Sequence, residues 1–443
     1  MMSRYDTVMK YFLEQKAEND KRTSENIEKY RKGNCELRFV FGDNVPSEAT
    51  AVIRQKKHQF RFGANLFMLD EFETEEKNRI YREKFPELFN LATLPFYWDT
   101  TEPQEGHFRF DKNCERIYRR PSIDLCMEYC KEHGIEPKCH CLNYDTLVPE
   151  WTKNLPTDVL KEKLENRFRQ ISERYSKDIP SFEVTNETLQ VLHNTAFFME
   201  DDYLDWSYLT ADKYFKNNEL IINDYNIWDP FEFNRNYYFM QIERLLGKGI
   251  KHLDTIGLQF HCFFPEDREW QHAKQKFNPE RLYALLDLFA KLGKEEQITE
   301  MTIPARSNGD EDELVQADLT ENLYRLFFSH PNMNGIIYWN LVDGYGYNAE
   351  PGDMTAGENI YYGGFLRFDM SEKPVYKKLK RLINEEWNTK QTLTLKNGTA
   401  SFRGFFGEYE AELHCDNKVK KFDFYLDKKQ CSDFENKKIL IAD

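Results

Sequence analysis

The sequence lacks the long apolar segments that mark membrane-bound and exported proteins. No stretch approaches the roughly 20 consecutive apolar residues of a membrane span, and the first twenty residues contain no signal-peptide core. Basic residues are also in deficit: 61 stand against 76 acidic residues, the formal charge is −15, and no compact block of Lys and Arg is present. We therefore expect neither a membrane nor a nucleic acid as a partner.

The number of cysteines is odd. Nine cysteines are spread through apparent core segments, among them Cys126, Cys130 and Cys262. Buried free thiols are commonest in reducing compartments, so we expect a cytoplasmic protein; if a leader had been removed, the protein would instead be secreted. Cys139 and Cys141 share one face of a strand, but no second pair lies at the spacing of a zinc site. We expect no metal and no cofactor.

A repeating pattern begins at about Phe60, where short apolar runs alternate with longer amphipathic stretches. Eight runs qualify as strands: Phe60–Ala64, Leu91–Tyr97, Glu136–Leu142, Ser181–Val184, Leu220–Asn223, Thr255–Phe260, Gln297–Ile303 and Gly335–Trp339. Amphipathic stretches between them, such as Asp158–Tyr175 and Pro279–Leu292, have helical periodicity. Eight such units predict an α/β fold, a (β/α)₈ barrel over residues 60–388.

Both ends of the chain differ from this pattern. Residues 1–59 read as an N-terminal helix followed by two short β-runs, and residues 389–443 alternate as β-strands do. We expect the C-terminal segment to form a small accessory β-module packed with residues 36–56. A module that simply completes a sheet is favoured over one that binds glycan, although both interpretations stay open at this point.

Polar or aromatic side chains follow most of the predicted strands. In a barrel enzyme the catalytic groups gather at the carboxyl ends of the strands. The residues found there are His140, Asn186, Glu187, the run Asn223–Asn226, Gln259, His261, Glu300 and Trp339. A single strand-end glutamate is more often a solvated loop residue, and a lone histidine more often structural. Six strand ends carrying such groups together indicate a site.

Glu187 and Glu300 follow the fourth and seventh predicted strands, which face each other across an eight-stranded barrel. Two carboxyl groups about 5 to 5.5 Å apart cleave glycosidic bonds with retention, one as nucleophile and the other as acid and then base. Asn186, next to the expected acid Glu187, is placed to bind a sugar 2-hydroxyl. A hydrogen bond from His261 is expected to keep the nucleophile Glu300 ionised.

Several segments match a known pattern in order: RFGAN (61–65), WDTTEPQEGHFRFD (98–111), PEWTKN (149–154), FEVTNETL (182–189), INDYN (222–226), IGLQFHCF (256–263), ITEMTIP (298–304) and GIIYWNLVD (335–343). Over residues 60–385 the chain resembles glycoside hydrolase family 10, whose best-known members are endo-1,4-β-xylanases. The resemblance implies that Glu187 is the acid/base and Glu300 the nucleophile. It also implies that the cleavage subsite is lined by His140, Asn186, Gln259, His261 and Trp339.

The chain departs from that family where the substrate is held. Typical members have Glu-Asn and then Lys-Trp at the end of strand 2, where this chain reads Leu94–Trp98, and their Trp-His-Ser-Gln run is replaced by Tyr144–Leu147. A tryptophan expected beyond strand 8 is replaced by Tyr347. We therefore expect altered contacts to the sugar on the non-reducing side. The further substrate-binding candidates are Tyr97, Trp98, Tyr144, Asp145, Tyr225 and Tyr347.

Together these features predict a retaining glycoside hydrolase that cleaves β-1,4 linkages in xylan-type oligosaccharides or related plant glycans. The expected partner is thus a β-linked oligo- or polysaccharide. Two alternatives use the same scaffold. One is a carbohydrate-binding protein with weak turnover, suggested by the missing polar residues, and the other is a transglycosylase, in which a sugar hydroxyl replaces water.

Overall fold

The computed structural model describes residues 3–41, 49–190, 193–225, 227–228, 236–415, 418–430 and 436–442. Its strands are β1 Lys32–Phe41, β2 Ala49–His58, β3 Arg61–Asn65, β4 Leu91–Pro95, β5 Glu136–His140, β6 Ser181–Asn186, β7 Glu219–Asp224, β8 Leu253–His261, β9 Glu295–Thr302, β10 Met333–Tyr338, β11 Lys390–Thr394, β12 Thr399–Phe405, β13 Gly407–Cys415, β14 Lys418–Leu426 and β15 Lys437–Ala442. Asn226 of the INDYN motif lies outside the described residues.

The α-helices are α1 Arg4–Glu14, α2 Lys16–Tyr30, α3 Glu75–Leu88, α4 Trp98–Thr101, α5 Ile123–His133, α6 Thr157–Tyr175, α7 Tyr203–Tyr214, α8 Tyr237–Leu246, α9 Glu269–Lys276, α10 Pro279–Phe289, α11 Asp310–Ser329 and α12 Pro374–Arg381. Within the described part of the chain, none of these helices combines the length and the apolarity that a bilayer crossing requires.

Strands β3 to β10 form a closed parallel barrel in chain order, and β10 pairs with β3 to close it. The strands are buried on both faces, as in β6, whose six residues are all buried. This double burial explains why the barrel strands appear in the sequence as short runs without polar alternation. Each predicted barrel strand is found with ends within two residues of the prediction. The predicted (β/α)₈ fold is confirmed.

The N-terminal segment forms two helices rather than the single helix predicted, because α1 and α2 meet at Gln15. Helix α1 buries Val8, Met9 and Phe12 in the main hydrophobic core of the barrel. The charged character of the segment reflects its solvent-facing side, while these apolar residues attach it to the barrel.

The accessory β-module contains strands from both ends of the chain. Strand β1 lies between β12, with which it is antiparallel, and β15, with which it is parallel. Strand β2 lies between β11 and β13, and β14 pairs with the other edge of β13. The aromatics Phe402, Phe406 and Tyr409 are buried in a separate core between these sheets. They therefore stabilise the module and are not exposed as a platform for sugar, whereas the domain boundaries stay a prediction.

Candidate active site

A cavity of about 420 Å³ lies at the carboxyl ends of the barrel strands, within the size range of small-ligand sites. It brings together residues from strands that are far apart in the sequence. Of the predicted site residues, the lining includes Tyr97, His140, Tyr144, Asn186, Glu187, Tyr225, Gln259, His261, Glu300, Trp339 and Tyr347. The parallel barrel places these strand ends on one face, so the cavity follows from the fold.

A chain of hydrogen bonds connects the two candidate catalytic glutamates. The amide nitrogen Nε2 of Gln259 lies 3.1 Å from Oε1 of Glu187 and 3.2 Å from Oδ1 of Asn186. The amide nitrogen Nδ2 of Asn223 donates to the same Asn186 oxygen and to Oε1 of Glu300, each at 2.8 Å. Because Gln259 and Asn223 both donate to Oδ1 of Asn186, Glu187 and Glu300 belong to one hydrogen-bond network.

Glu187 sits just beyond β6 in the left-handed region, with φ of 57°. Few residues other than glycine adopt this conformation, and it is most often kept where the surroundings enforce it. Its backbone N–H donates to the Asn223 carbonyl at 3.0 Å, while the following turn is tied to Asp224, which accepts from the Leu189 N–H at 2.9 Å. The Tyr144 hydroxyl donates to Oε2 of Glu187 at 2.6 Å. The carboxylate is thereby aimed into the cavity.

Glu300 lies inside the barrel mouth on β9 and contacts His261 on β8. Nε2 of His261 lies 3.0 Å from Oε2 of Glu300, and Nδ1 lies 3.0 Å from the hydroxyl of Thr302. Burial lowers the pKa of His261 to about 4, so the ring is neutral at pH 7. When Glu300 is ionised it can only accept, so Nε2–H of His261 donates to Glu300 and Nδ1 accepts from the Thr302 hydroxyl.

Burial raises the pKa of Glu300 to about 8, even though His140 and the Asn223 amide act in the opposite direction. The negative charges of Glu183 and Glu187 contribute to this rise. This differs from the expectation that the bond from His261 would keep Glu300 ionised. The physical reason is that a neutral imidazole offers only a dipole, which is too weak to offset the loss of solvent around the carboxylate.

A buried ion-pair network lies beneath Glu300. Both oxygens of Glu183 are engaged, one by Nζ of Lys138 at 2.5 Å and the other by Nδ1 of His140. Burial alone would raise the pKa of Glu183, but Lys138 and His140 lower it to about 2. His140, Glu183 and Glu300 present possible metal-ligating atoms within 4.8 Å of one another. Since Lys138 already supplies a cation to this group, the arrangement is complete as an ion-pair network.

An aromatic cluster forms one wall of the cavity, and its members are Phe67, Tyr97 and Trp339. The Trp339 ring lies 5.2 Å from Phe67, 5.6 Å from His140 and 5.7 Å from His261, in edge-to-face contacts. Large aromatic surfaces at such a position suit the apolar face of a pyranose ring.

Two predicted sugar contacts are absent from the described lining of the cavity. Trp98 is buried in α4, where its Nε1 donates to Glu102 at 2.8 Å, so it acts as a core residue. The Asp145 carboxylate accepts from the backbone N–H of Thr195 at 3.2 Å and also from Asn194 and the Thr195 hydroxyl. Its acidic group therefore anchors a neighbouring segment and is not offered to a sugar.

The cavity also contains residues that the strand-end argument missed. They include Phe67, Arg119, Arg120, Phe263, Phe264, His272, Lys276 and Glu358. Arg119 and Arg120 come from the connection between α4 and α5. Polar residues are common in every loop, so their position in the sequence carries no signal. The one hint is the adjacent pair of basic residues just before the start of α5.

Comparisons with known proteins match most of this chain to one family. The family model described as Glycosyl hydrolase family 10 matches residues 55–381. The chain is similar to anti-sigma-I factor RsgI6 of Acetivibrio thermocellus, 24% identical over 407 residues, and to endo-1,4-beta-xylanase 2 of Arabidopsis thaliana, 23% identical over 410 residues. Each alignment covers 90% of this chain, but only 47% and 34% of the relatives. The chain thus spans less than half the length of these two relatives.

Solved structures give the same fold. Native xylanase 10B from Thermotoga maritima aligns with a TM-score of 0.59 at 21% identity, covering 74% of this chain and 96% of that one. Xylanase 10B from Thermotoga petrophila RKU-1 in complex with xylobiose aligns with a TM-score of 0.59 at 20% identity, covering 74% and 95%. At this identity the likeness establishes the shared barrel.

Proposed function

Because the chain belongs to glycosyl hydrolase family 10, we propose that it is a retaining glycoside hydrolase that cleaves β-1,4 linkages in xylan-type oligosaccharides. The observation that carries the proposal is the amide network of Gln259, Asn186 and Asn223 that joins Glu187 to Glu300. Both carboxyl groups belong to the lining of one cavity that has an aromatic wall, which supports the proposal. This is the arrangement that a two-carboxylate reaction needs.

In the first step, the ionised Glu300 attacks the anomeric carbon while Glu187 gives its proton to the departing glycosidic oxygen. The bond to the leaving sugar breaks, and a glycosyl ester on Glu300 forms. In the second step, Glu187 takes a proton from water, and the water oxygen attacks the anomeric carbon. The ester bond breaks, Glu300 is released as a carboxylate, and two inversions give net retention.

The neighbouring residues have supporting roles in this proposal. His261 and Asn223 orient the Glu300 carboxylate through their hydrogen bonds, and Tyr144 orients Glu187. Trp339 provides a face for the sugar whose anomeric carbon reacts. His140, held by Glu183, lies at the Trp339 ring and contributes positive potential at Glu300.

The test is product analysis with xylo-oligosaccharides of four to six sugars, following the configuration of the new reducing end by proton NMR. We expect the β-anomer to appear first, and Glu300→Gln and Glu187→Gln to lose at least about 10²- to 10⁴-fold in kcat. Glu173→Gln, on the surface of α6, is the matched control. First appearance of the α-anomer would refute retention. Binding without turnover by the unaltered protein would support the carbohydrate-binding alternative instead.

A further inference from the structure

Two adjacent arginines line the cavity, and neither has a carboxylate partner. Arg119 is 4% exposed and Arg120 is 8% exposed. Among the residues that the structure describes, no carboxylate oxygen lies within 4.0 Å of a guanidinium nitrogen of either arginine. Burying a cation without a counter-charge is unfavourable, so two adjacent buried arginines without a carboxylate partner require an explanation.

The hydrogen bonds of these two side chains are also incomplete. Nη1 of Arg119 donates to the Tyr345 carbonyl and to Oδ1 of Asn340 at 3.3 Å, but its Nε is buried with no acceptor. Arg120 uses Nη1 alone, to the Arg119 carbonyl at 2.9 Å. Among the described residues, neither Arg119 nor Arg120 has an acceptor at Nη2.

Two other buried arginines, Arg109 and Arg167, use every nitrogen of the guanidinium group. All three nitrogens of Arg109 donate to backbone carbonyls, and those of Arg167 donate to two carbonyls and the Thr101 hydroxyl. Those arginines act as structural braces between segments. Arg119 and Arg120 differ because they retain donors at the surface of a cavity.

The pair lies beside the aromatic wall. The guanidinium carbon of Arg120 is 4.4 Å from the Tyr97 ring centre and 5.4 Å from that of Phe67, and Phe67 packs on Trp339. The charges of Arg120, Glu300 and Arg119 all influence the pKa of the Tyr97 hydroxyl, so these groups surround one part of the cavity. The arginines are therefore close to the place where the sugar attacked by Glu300 would lie.

The lining carboxylate that acts on Arg119 is Glu358, and it forms no ion pair with either arginine. Glu358 acts on Arg119 electrostatically, but its Oε2 accepts from Asn340 at 2.9 Å and from the Tyr347 N–H at 3.0 Å. Burial lowers the pKa of Arg119, so its charge is held at a free-energy penalty. Arg119 also adopts a left-handed backbone conformation, with φ of 61°, which few side chains tolerate.

We propose that Arg119 and Arg120 bind the carboxylate of a uronic acid carried on the glycone side of the substrate. This inference rests on the proposed function, because that function places a sugar against Trp339 and Glu300. A guanidinium fork matches a carboxylate with two parallel hydrogen bonds, and a neutral pentose or hexose offers no charge to balance two buried cations. The acidic sugar supplies the missing partner.

The test compares two ligands that differ only in the carboxylate. One is a xylo-oligosaccharide with a glucuronic acid branch, and the other is the same molecule with that carboxyl reduced to a primary alcohol. Dissociation constants are measured by calorimetry with the Glu300→Gln protein, so that no turnover interferes. We expect the acidic form to bind at least about tenfold more tightly, as fits one charge-assisted bidentate contact.

In the Glu300→Gln background, Arg120→Met is expected to remove this preference and Arg120→Lys to restore part of it. Arg169→Met, on the surface of α6, is the matched control. If the Glu300→Gln protein binds the two ligands with equal affinity, the proposal is overturned whatever the Arg120 variants show. A preference for the acidic ligand that survives Arg120→Met also overturns it. A preference that persists while the unaltered protein cleaves neither ligand supports the arginine site and refutes the proposed function.

Discussion

The hydroxyl group of Tyr144 donates a 2.6 Å hydrogen bond to Oε2 of Glu187, from the loop in which the sequence departs from the family pattern. Burial and the negative charge of Glu187 raise the pKa of Tyr144, so the phenol stays protonated and can donate to the carboxylate. A position that looked like an altered sugar contact thus holds the candidate acid/base in place.

The change Tyr144→Phe should reduce kcat by about 10- to 100-fold, because a hydrogen bond to a charged group contributes about 1.5 to 3 kcal/mol. The effect on KM should be small if the bond orients Glu187 rather than the substrate. Steady-state kinetics on one xylo-oligosaccharide measures both. Tyr237→Phe, at an exposed position on α8, provides the control. A purely raised KM would show that Tyr144 is a sugar contact.

The pH dependence of kcat/KM should reflect Glu300. Its pKa is raised to about 8, and only the ionised carboxylate can attack, so activity should rise with pH through about 8 rather than through the usual 4.5 of a glutamate. Asn223→Ser removes a donor to the charged form and should move this limb to still higher pH. A limb near pH 4 to 5 in the unaltered protein would contradict the prediction.

Stability should depend on the buried network of Glu183. The change Glu183→Gln leaves Lys138 buried without a counter-charge and should lower the free energy of unfolding by about 3 to 5 kcal/mol. Since the folded pKa of Glu183 is lowered to about 2, its contribution is present above the ordinary carboxyl pKa and is lost as pH falls toward 2. Urea unfolding at several pH values measures this. Arg169→Gln, on the surface of α6, should change stability by less than about 0.5 kcal/mol.

Close packing beneath the site leaves room only for a glycine at position 257, on β8. A Cβ there would lie 2.6 Å from the Ile222 carbonyl oxygen and 2.9 Å from Oδ1 of Asn223, the residue that holds Glu300. We expect Gly257→Ala to lower both stability, by about 1 to 3 kcal/mol, and kcat. The control is Gly247→Ala, where the nearest atom would be 3.3 Å away. If Gly257→Ala kept full activity, Asn223 would not be positioned through this contact.

Strand positions could be predicted from the sequence because the barrel strands are apolar runs between amphipathic helices. Glu187 and Glu300 could be placed for the same reason, since each follows such a run. The orientation of loop side chains could not be predicted from the sequence. Tyr144 and Asp145 are neighbours, yet the first reaches Glu187 and the second binds the segment at Thr195. Sequence position alone does not decide which of two adjacent loop side chains faces a cavity.

Arg119 and Arg120 likewise could not be assigned to the cavity from the sequence. Arg119 and Arg120 lie in the connection between α4 and α5, far in sequence from every strand end that forms the cavity. Their lack of a carboxylate partner among the described residues is visible only in three dimensions, because it depends on which acidic groups lie nearby.

Strand β1 pairs with β15, so that Glu36 lies opposite Lys437, about 400 positions later in the chain. The partners of β1, which are β12 and β15, follow the whole barrel in the chain, so β1 keeps exposed edges until they have been made. The closing pairing is thus among the most non-local contacts that this chain can form, and such contacts slow folding. Until it closes, residues 32–41 present unpaired strand edges that favour association between chains, so expression yield should depend on the integrity of β15.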